Sequence, residues 1–120
     1  MKTFEIVTKK TVTQEQIENI LTDAFEGGAM TDWCEGVVIV KEPEEQYNYA
    51  SEVLTRGGEL SIVDGQEYIP ETDSYGKAYT LTLDMVLKAL GESKIDFEDY
   101  DAFDADQVIQ IALFGEVIYG

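Results

Sequence analysis

The stretch of residues 24–34 constrains the fold of this chain more than any other. An amphipathic helical pattern runs into it, the pair Gly27-Gly28 ends that pattern, and the only tryptophan, Trp33, follows five residues later. A run of four β-branched residues, positions 37–40, comes next. Paired glycines end helices by supplying a left-handed residue, and β-branched residues favour strands. The order therefore predicts a helix that folds back onto a sheet, with Trp33 as a buried anchor.

Thr13 is expected to begin this first helix, because Gln16 stands three residues later as in a capping box. Gly27 or Gly28 is expected to end it with a positive φ. Apolar residues recur between these ends at the spacing of one helical face: Ile17, Ile20, Leu21, Ala24 and Phe25. The opposite face is acidic and is expected to be solvated, with Glu15, Glu18, Asp23 and Glu26.

Other elements are predicted from strand propensity and from turn and cap signals. A second helix is expected from Pro43 to residue 54, a third from Thr82 to Gly91, and a fourth over residues 105–114. For the fourth helix, Asp104 with Gln107 predicts a capping box, and Phe103 with Val108 a hydrophobic staple. Strands are expected over residues 3–8, 37–41, 59–63, 68–69 and 79–81, with a terminal strand at 117–119.

Two features of these strands define the expected sheet. The strand at 37–41 is predicted to be central, because four successive β-branched residues indicate burial on both faces. Asp64-Gly65 is predicted to form a hairpin turn. The expected fold class is α+β, with about four helices packed on a mostly antiparallel or mixed sheet of four to five strands. Residues 1–120 are expected to form a single acidic α+β domain.

The charge of the chain constrains its partners. Asp and Glu total 25, Lys and Arg total 8, and the formal net charge is −17, well beyond the roughly 2–8 units of a small soluble domain. Such a surface repels nucleic acid and anionic membranes and attracts basic proteins. No apolar run approaches the ~18–20 residues of a membrane span, and residues 1–5 show no secretory signal, so a cytoplasmic location is expected.

Several classes of chemistry are excluded or disfavoured. The chain has no histidine, which removes the commonest general base, the histidine-dependent triads and most zinc sites. Cys34 is expected to be a buried structural residue, because its neighbour Glu35 disfavours a thiolate. The glycine pairs at 27–28 and 57–58 close helices and precede no Walker lysine, so they are not phosphate loops. We therefore expect no catalytic residues, cofactor or metal, and no enzyme.

Residues 96–106 form the densest acidic run, with six acids in eleven residues and no base. An EF-hand is excluded, because its sixth and twelfth positions would hold Asp101 and Gln107, although a weak divalent site stays open. The other interpretations are a solvated face with helix caps and an interface that imitates the closely spaced charges of a nucleic-acid backbone. The residues predicted to bind a partner are Asp96, Glu98, Asp99, Asp101, Asp104 and Asp106, with Glu42, Glu44 and Glu45 as a second cluster.

Three stretches carry a resemblance to known proteins. They are Ala24-Phe25-Glu26-Gly27-Gly28 leading to Trp33, Ala50-Ser51-Glu52-Val53-Leu54-Thr55-Arg56-Gly57-Gly58-Glu59-Leu60, and Asp104-Ala105-Asp106-Gln107-Val108-Ile109-Gln110-Ile111-Ala112-Leu113-Phe114-Gly115-Glu116-Val117-Ile118-Tyr119-Gly120. Together they resemble a family of small acidic proteins encoded by phages and mobile elements of Gram-positive bacteria. The resemblance implies inhibition of host defence, because small acidic phage proteins include anti-CRISPR and anti-restriction proteins, several of which imitate DNA. It brings no catalytic residues.

Three functions follow from these observations and remain open at this point. The leading hypothesis is a non-enzymatic, phage-type inhibitor that occupies the basic nucleic-acid channel of a host defence nuclease. The second is a protein that sequesters a small signalling molecule in a pocket lined by Trp33 and tyrosines. The single arginine, Arg56, would supply such a pocket with few bidentate phosphate donors. The third is a structural or assembly protein.

Overall fold

The computed structural model of this chain describes residues 2–6 and 11–120. The strands of this part are β1 (Thr3–Glu5), β2 (Thr11–Thr13), β3 (Cys34–Lys41), β4 (Glu59–Ile69) and β5 (Ser74–Leu81). Its α-helices are α1 (Gln14–Glu26), α2 (Leu83–Ser93) and α3 (Ala102–Phe114). Three short 3-10 turns lie at Ala29–Asp32, Ala50–Glu52 and Leu54–Arg56. The α+β class is confirmed, with three α-helices among the described residues in place of the predicted four.

The strands form two antiparallel sheets. β1 pairs with β2, and a three-stranded sheet has the order β3-β4-β5. Only residues 3–5 of the first predicted strand are paired, and residues 7 and 8 lie outside the described part; β2 was not predicted. No helix of the described chain has the length and apolar character needed to cross a membrane.

Helix α1 begins and ends as the sequence predicts. Thr13 accepts a hydrogen bond from the Gln16 amide, and the Gln16 side chain accepts one from the Thr13 amide, which completes the capping box. Gly28 has φ of 90°, a left-handed conformation that glycine adopts without the steric cost of a Cβ. Trp33 is only 2% exposed, which confirms its role as a buried anchor.

The core lies between the three helices and one face of the three-stranded sheet. α1 and α2 both pack against α3, and the inward side chains of the sheet, which include Leu60, Ile62 and Leu81, belong to the same cluster. No helix of the described part of the chain packs on the opposite face of the sheet, as antiparallel sheets allow. On that face Val38, Ala78 and Thr80 are exposed.

The prediction that the strand at 37–41 is central was wrong. Among the described strands, β3 lies at the edge of its sheet and hydrogen-bonds to β4 on one side only, and Val38 and Val40 are 54% and 55% exposed. The Asp64-Gly65 hairpin was also wrong, since β4 continues through both residues to Ile69. The turn comes at residues 70–73 instead. Asp64 is buried and accepts hydrogen bonds from the Gln66 amide and the Tyr119 hydroxyl, so its carboxylate is committed to the fold.

The predicted helix after Pro43 does not form. Side chains there form hydrogen bonds with backbone groups in a non-helical arrangement. The Glu52 side chain accepts from the amides of Asn48 and Tyr49, and the Arg56 side chain donates to the Gln46 carbonyl. Two 3-10 turns replace the helix, and these local side-chain bonds compete with helical ones.

The ends of the last two helices differ from the sequence-based expectation. Thr82 caps α2 as predicted, but α2 passes through Gly91 and ends at Ser93, with Lys94 in the left-handed conformation at φ of 57°. α3 begins one turn earlier than predicted, and Asp101 rather than Asp104 caps it. Phe103 is 65% exposed, which is not the packing expected of a staple with Val108.

The chain after α3 is not a strand. The helix ends after Phe114, the predicted last residue, and Gly115 follows it with φ of 81°. Gln110 then binds the following segment: its Oε1 accepts from the amides of Ile118 and Tyr119, and its Nε2 donates to the Tyr119 carbonyl. A buried side chain of α3 thus satisfies the backbone groups that a neighbouring strand would otherwise satisfy.

Candidate acidic interface

Most of the 25 acidic side chains are exposed, and few of them have a basic partner. In the described part of the chain, ion pairs join Lys2 with Glu45, Lys77 with Glu67, and Arg56 with both Glu18 and Glu52. The largely exposed pairs, Lys2 with Glu45 and Lys77 with Glu67, contribute little stability, whereas the two Arg56 pairs are partly buried. Within the described residues, the exposed carboxylates are therefore largely without a basic partner.

The segment between α2 and α3 holds its carboxylates outward. Asp96, Glu98, Asp99 and Asp101 are all exposed. Oδ1 of Asp96 accepts from the Glu98 amide at 3.0 Å, a local turn that Asp side chains favour. Oδ1 of Asp101 accepts from the Asp104 amide at 2.9 Å and caps α3. The backbone of the acidic run is therefore shaped partly by its own carboxylates.

Two contacts join this segment to the end of α1. Burial, followed by the nearby Asp23 carboxylate, raises the pKa of Tyr100, so the Tyr100 hydroxyl lies close to the Asp23 side chain. Gly27 lies so close to α3 that an added Cβ would approach Cβ of Ala102 to 2.6 Å. Asp23 therefore lies beside the 96–101 segment, and Glu26 follows it three residues later at the end of α1. We call the set Asp23, Glu26, Asp96, Glu98, Asp99 and Asp101 the acidic surface.

The acidic face of α1 was predicted from the sequence, but its proximity to the 96–106 run was not. The sequence alone nevertheless places Asp23 and Glu26 near the C-terminal end of α1. Carboxylates there oppose the negative end of the helix dipole, and the last turn of α1 holds no basic residue. This arrangement of carboxylates costs stability.

Asp106 is not part of the acidic surface, so the expectation for this residue is corrected. It is 6% exposed, its Oδ1 accepts from Nε1 of Trp33 at 2.8 Å, and its Oδ2 accepts from Nε2 of Gln110 at 2.9 Å. Burial raises the pKa of Asp106, and these two hydrogen bonds partly oppose that rise. Helical periodicity explains its direction, since Asp106 lies on the same buried face as Ile109 and Gln110. Asp104 is half-buried, and its Oδ2 accepts from the Asp101 amide.

The second predicted cluster, Glu42, Glu44 and Glu45, is also exposed. It is the more compensated of the two, because Glu45 pairs with Lys2 and Glu42 accepts from the Tyr47 hydroxyl at 2.9 Å. Glu44 and Glu45 line a cavity of about 390 Å³ together with Arg56 and Asp84. Among the described contacts, none links this cluster to the acidic surface.

The aromatic residues do not form a ligand pocket around Trp33. Its ring stacks on Tyr119 with centroids 5.6 Å apart and meets the edge of Phe114 at the same distance. The Tyr119 hydroxyl donates to the buried Asp64, and burial, with that carboxylate, raises the pKa of Tyr119 to about 12. The ring of Trp33 is thus used for packing.

The chemistry of the remaining groups is limited. Burial, followed by the charges of Asp64 and Asp106, raises the pKa of the half-buried Cys34 thiol, which keeps the thiol protonated at neutral pH. Over residues 2–6 and 11–120, no group of three or more acidic or cysteine side chains is arranged to hold a metal ion.

No protein-family model, curated protein or solved structure matches this chain.

Proposed function

We propose that this protein is a non-enzymatic, phage-type inhibitor of a host nucleic-acid-binding defence system, of the anti-CRISPR or anti-restriction kind. It would act by nucleic-acid mimicry, with the acidic surface placed in the basic channel of a defence nuclease. The encounter would take place in the host bacterial cytoplasm. The observation that carries this proposal is the joining of the two acidic segments, the end of α1 and residues 96–101, into one surface.

The electrostatics of this surface support a basic partner. None of the ion pairs in the described part of the chain involves its six carboxylates. A cationic channel would relieve their mutual repulsion, and complementary charge speeds association. Two of them, Asp23 and Glu26, lie where the helix dipole disfavours them. A binding role would account for carboxylates retained at that position.

Phe103 supports a protein rather than a small-ion partner. It is 65% exposed, in the first turn of α3, directly between the capping pair Asp101 and Asp104. Aromatic side chains at the centre of an interface often supply much of its binding energy, while surrounding charges orient the complex. The acidic surface with Phe103 thus has both a charged and an apolar component.

The alternative functions have less support. Sequestration of a signalling nucleotide needs cationic groups that face a pocket, whereas Arg56 already bonds Glu18, Glu52 and the Gln46 carbonyl. A structural or assembly protein stays the second alternative, with no particular residue that favours it.

A pull-down from host lysate at low and high salt would identify the target, followed by a nuclease assay with DNA or guide RNA as competitor. We expect Glu98→Gln/Asp99→Asn to weaken inhibition by about tenfold or more at low salt, and less as salt screens the charges. The matched control is Glu71→Gln/Glu116→Gln, which removes the same charge from exposed residues elsewhere. Equal inhibition by both double variants and the wild type, or inhibition indifferent to salt, would contradict the proposal. A copurifying small molecule in place of a nuclease would favour sequestration.

A further inference from the structure

The outer half of the β4–β5 hairpin, residues 66–76, forms a two-stranded arm. β3 pairs with β4 only as far as Asp64, whereas β4 and β5 stay paired up to their turn. Tyr68 and Tyr75 lie opposite each other on this arm, with ring centroids 5.4 Å apart, and are 46% and 67% exposed. We propose that these two rings, with the carboxylate of Asp73, bind an arginine side chain of a protein partner.

The same hairpin binds a cation of its own in an arrangement of this kind. The Tyr79 hydroxyl donates a hydrogen bond to Oε1 of Glu67. Nζ of Lys77 lies 5.2 Å from the centroid of the Tyr79 ring and 3.3 Å from Oε2 of Glu67. A tyrosine whose hydroxyl is bound to a carboxylate thus presents a ring face and a negative charge to one cation, and both attract it.

Tyr68 and Asp73 repeat this arrangement next to the turn. The Tyr68 hydroxyl donates to Oδ1 of Asp73, and Tyr75 adds a second ring. Over residues 2–6 and 11–120, no basic side chain forms an ion pair with Asp73 or lies over either ring. The three residues therefore offer an external cation the same groups that Tyr79 and Glu67 offer to Lys77.

The backbone of the turn fixes the position of the Asp73 carboxylate. The amides of Thr72 and Asp73 donate to the carbonyls of Ile69 and Pro70. Asp73 has φ of 50°, a left-handed conformation that costs glycine least and that aspartate and asparagine tolerate. A carboxylate that the turn and Tyr68 already hold in place lowers the ordering cost of binding.

The chemistry of these groups favours arginine, presented by a protein. A guanidinium is planar, stacks on aromatic faces and donates to carboxylates in its plane, whereas the ammonium of lysine is a more strongly hydrated point charge. At an exposed site a cation–π contact changes affinity only about two- to fivefold. Such a site therefore suits an arginine that a larger interface already holds nearby, and the net charge of −17 favours a basic partner.

An NMR titration that resolves individual residues tests this site. The probe is a capped tripeptide with arginine between two glycines, at about 150 mM salt, which screens diffuse attraction to the other carboxylates. We expect saturable shifts of the Tyr68 and Tyr75 ring resonances, and weaker binding of the corresponding lysine peptide. The citrulline peptide keeps the planar side chain without its charge and should cause little shift. Equal shifts with arginine and citrulline, or none with arginine, would overturn the proposal.

Two variants separate the contribution of the ring from that of the charge. Tyr75→Leu removes a ring face, and Asp73→Asn removes the charge but keeps an acceptor for Tyr68 and the tolerance of a left-handed backbone. Each should weaken binding of the arginine peptide about two- to fivefold. The matched control is Tyr49→Leu, at a tyrosine outside the arm that is 65% exposed, and it should leave the affinity unchanged.

Wild-type affinity in both arm variants, or an equal loss with Tyr49→Leu, would show general attraction to an acidic protein and would refute the site. The arm shares no residue with the acidic surface, so this inference does not depend on the proposed function. Nuclease inhibition and peptide binding are separate measurements, and either result can fail while the other holds.

Discussion

Nε1 of Trp33 donates a hydrogen bond of 2.8 Å to Oδ1 of Asp106, which joins the residue before β3 to the buried face of α3. The same carboxylate accepts from Gln110, whose side chain binds the backbone of residues 118 and 119, and Tyr119 stacks back on Trp33. One of the acids predicted to bind a partner therefore holds the C-terminal segment to the core.

Trp33 should be among the most stabilising residues of the chain. Trp33→Ala should cost about 3–5 kcal/mol of unfolding free energy, as for other large core aromatics. Trp33→Phe retains a ring but removes the donor to the buried Asp106, and we expect about 1–3 kcal/mol. Urea denaturation followed by circular dichroism measures both. A loss below about 1 kcal/mol for Trp33→Ala would show that the network contributes little.

Glu18 should make folding stability depend on pH in the acid range. Burial tends to raise its pKa, but hydrogen bonds from Thr55, Gln14 and Arg56 outweigh it, so the pKa lies below the ordinary value of 4.5. The stabilisation by Glu18 is therefore present above the unfolded-state pKa and is lost as pH falls through the folded-state pKa.

Glu18→Gln is the corresponding variant. It should lower the unfolding free energy by about 1–2 kcal/mol at pH 7, because charge-assisted hydrogen bonds are lost, and by less as the pH falls below about 4. Glu71→Gln, an exposed change in the turn between β4 and β5, serves as control and should have little effect. A destabilisation by Glu18→Gln that is constant from neutral to acid pH would disagree with the assigned pKa shift.

Asp101, and not Asp104, should behave as the principal cap of α3. Asp101→Ala should cost about 1 kcal/mol, whereas Asp101→Asn retains a capping oxygen and should cost a few tenths at most. Asp99→Ala is the control, since it lies in the same segment and caps no helix. Thermal unfolding of the three variants provides the comparison. A larger loss for Asp99→Ala than for Asp101→Ala would be inconsistent with this cap.

Glu26 should lower the stability of the free protein and raise its affinity for the target. Glu26→Gln removes a negative charge from the last turn of α1 and should stabilise the protein by about 0.3–1 kcal/mol at low salt. If the acidic surface binds the target, the same variant should also bind it less tightly, as expected where a functional residue is locally unfavourable. Thermal melts and a binding titration on the same sample measure both quantities. A gain in stability with unchanged affinity would place Glu26 outside the interface.

The elements that the sequence determined are those specified by residues a few positions apart. The capping box of Thr13 and Gln16, the left-handed Gly28 and the cap at Thr82 all depend on local hydrogen bonds or on one backbone conformation. Trp33 was also predicted to be buried, because a large aromatic between a helix and a strand has few other positions in a small domain.

Tertiary structure decided what depends on residues far apart in the chain. β3 has a central-strand sequence, but whether a strand has one neighbour or two is set by the path of the whole sheet. By sequence, either Asp101 or Asp104 could cap α3. The helix is capped by Asp101, and its first residue, Ala102, packs against Gly27 at the end of α1. Asp106 was predicted to be a surface acid, but in the folded chain Trp33, distant in sequence, donates a hydrogen bond to its carboxylate. A buried carboxylate needs such partners, and only the folded chain brings them together.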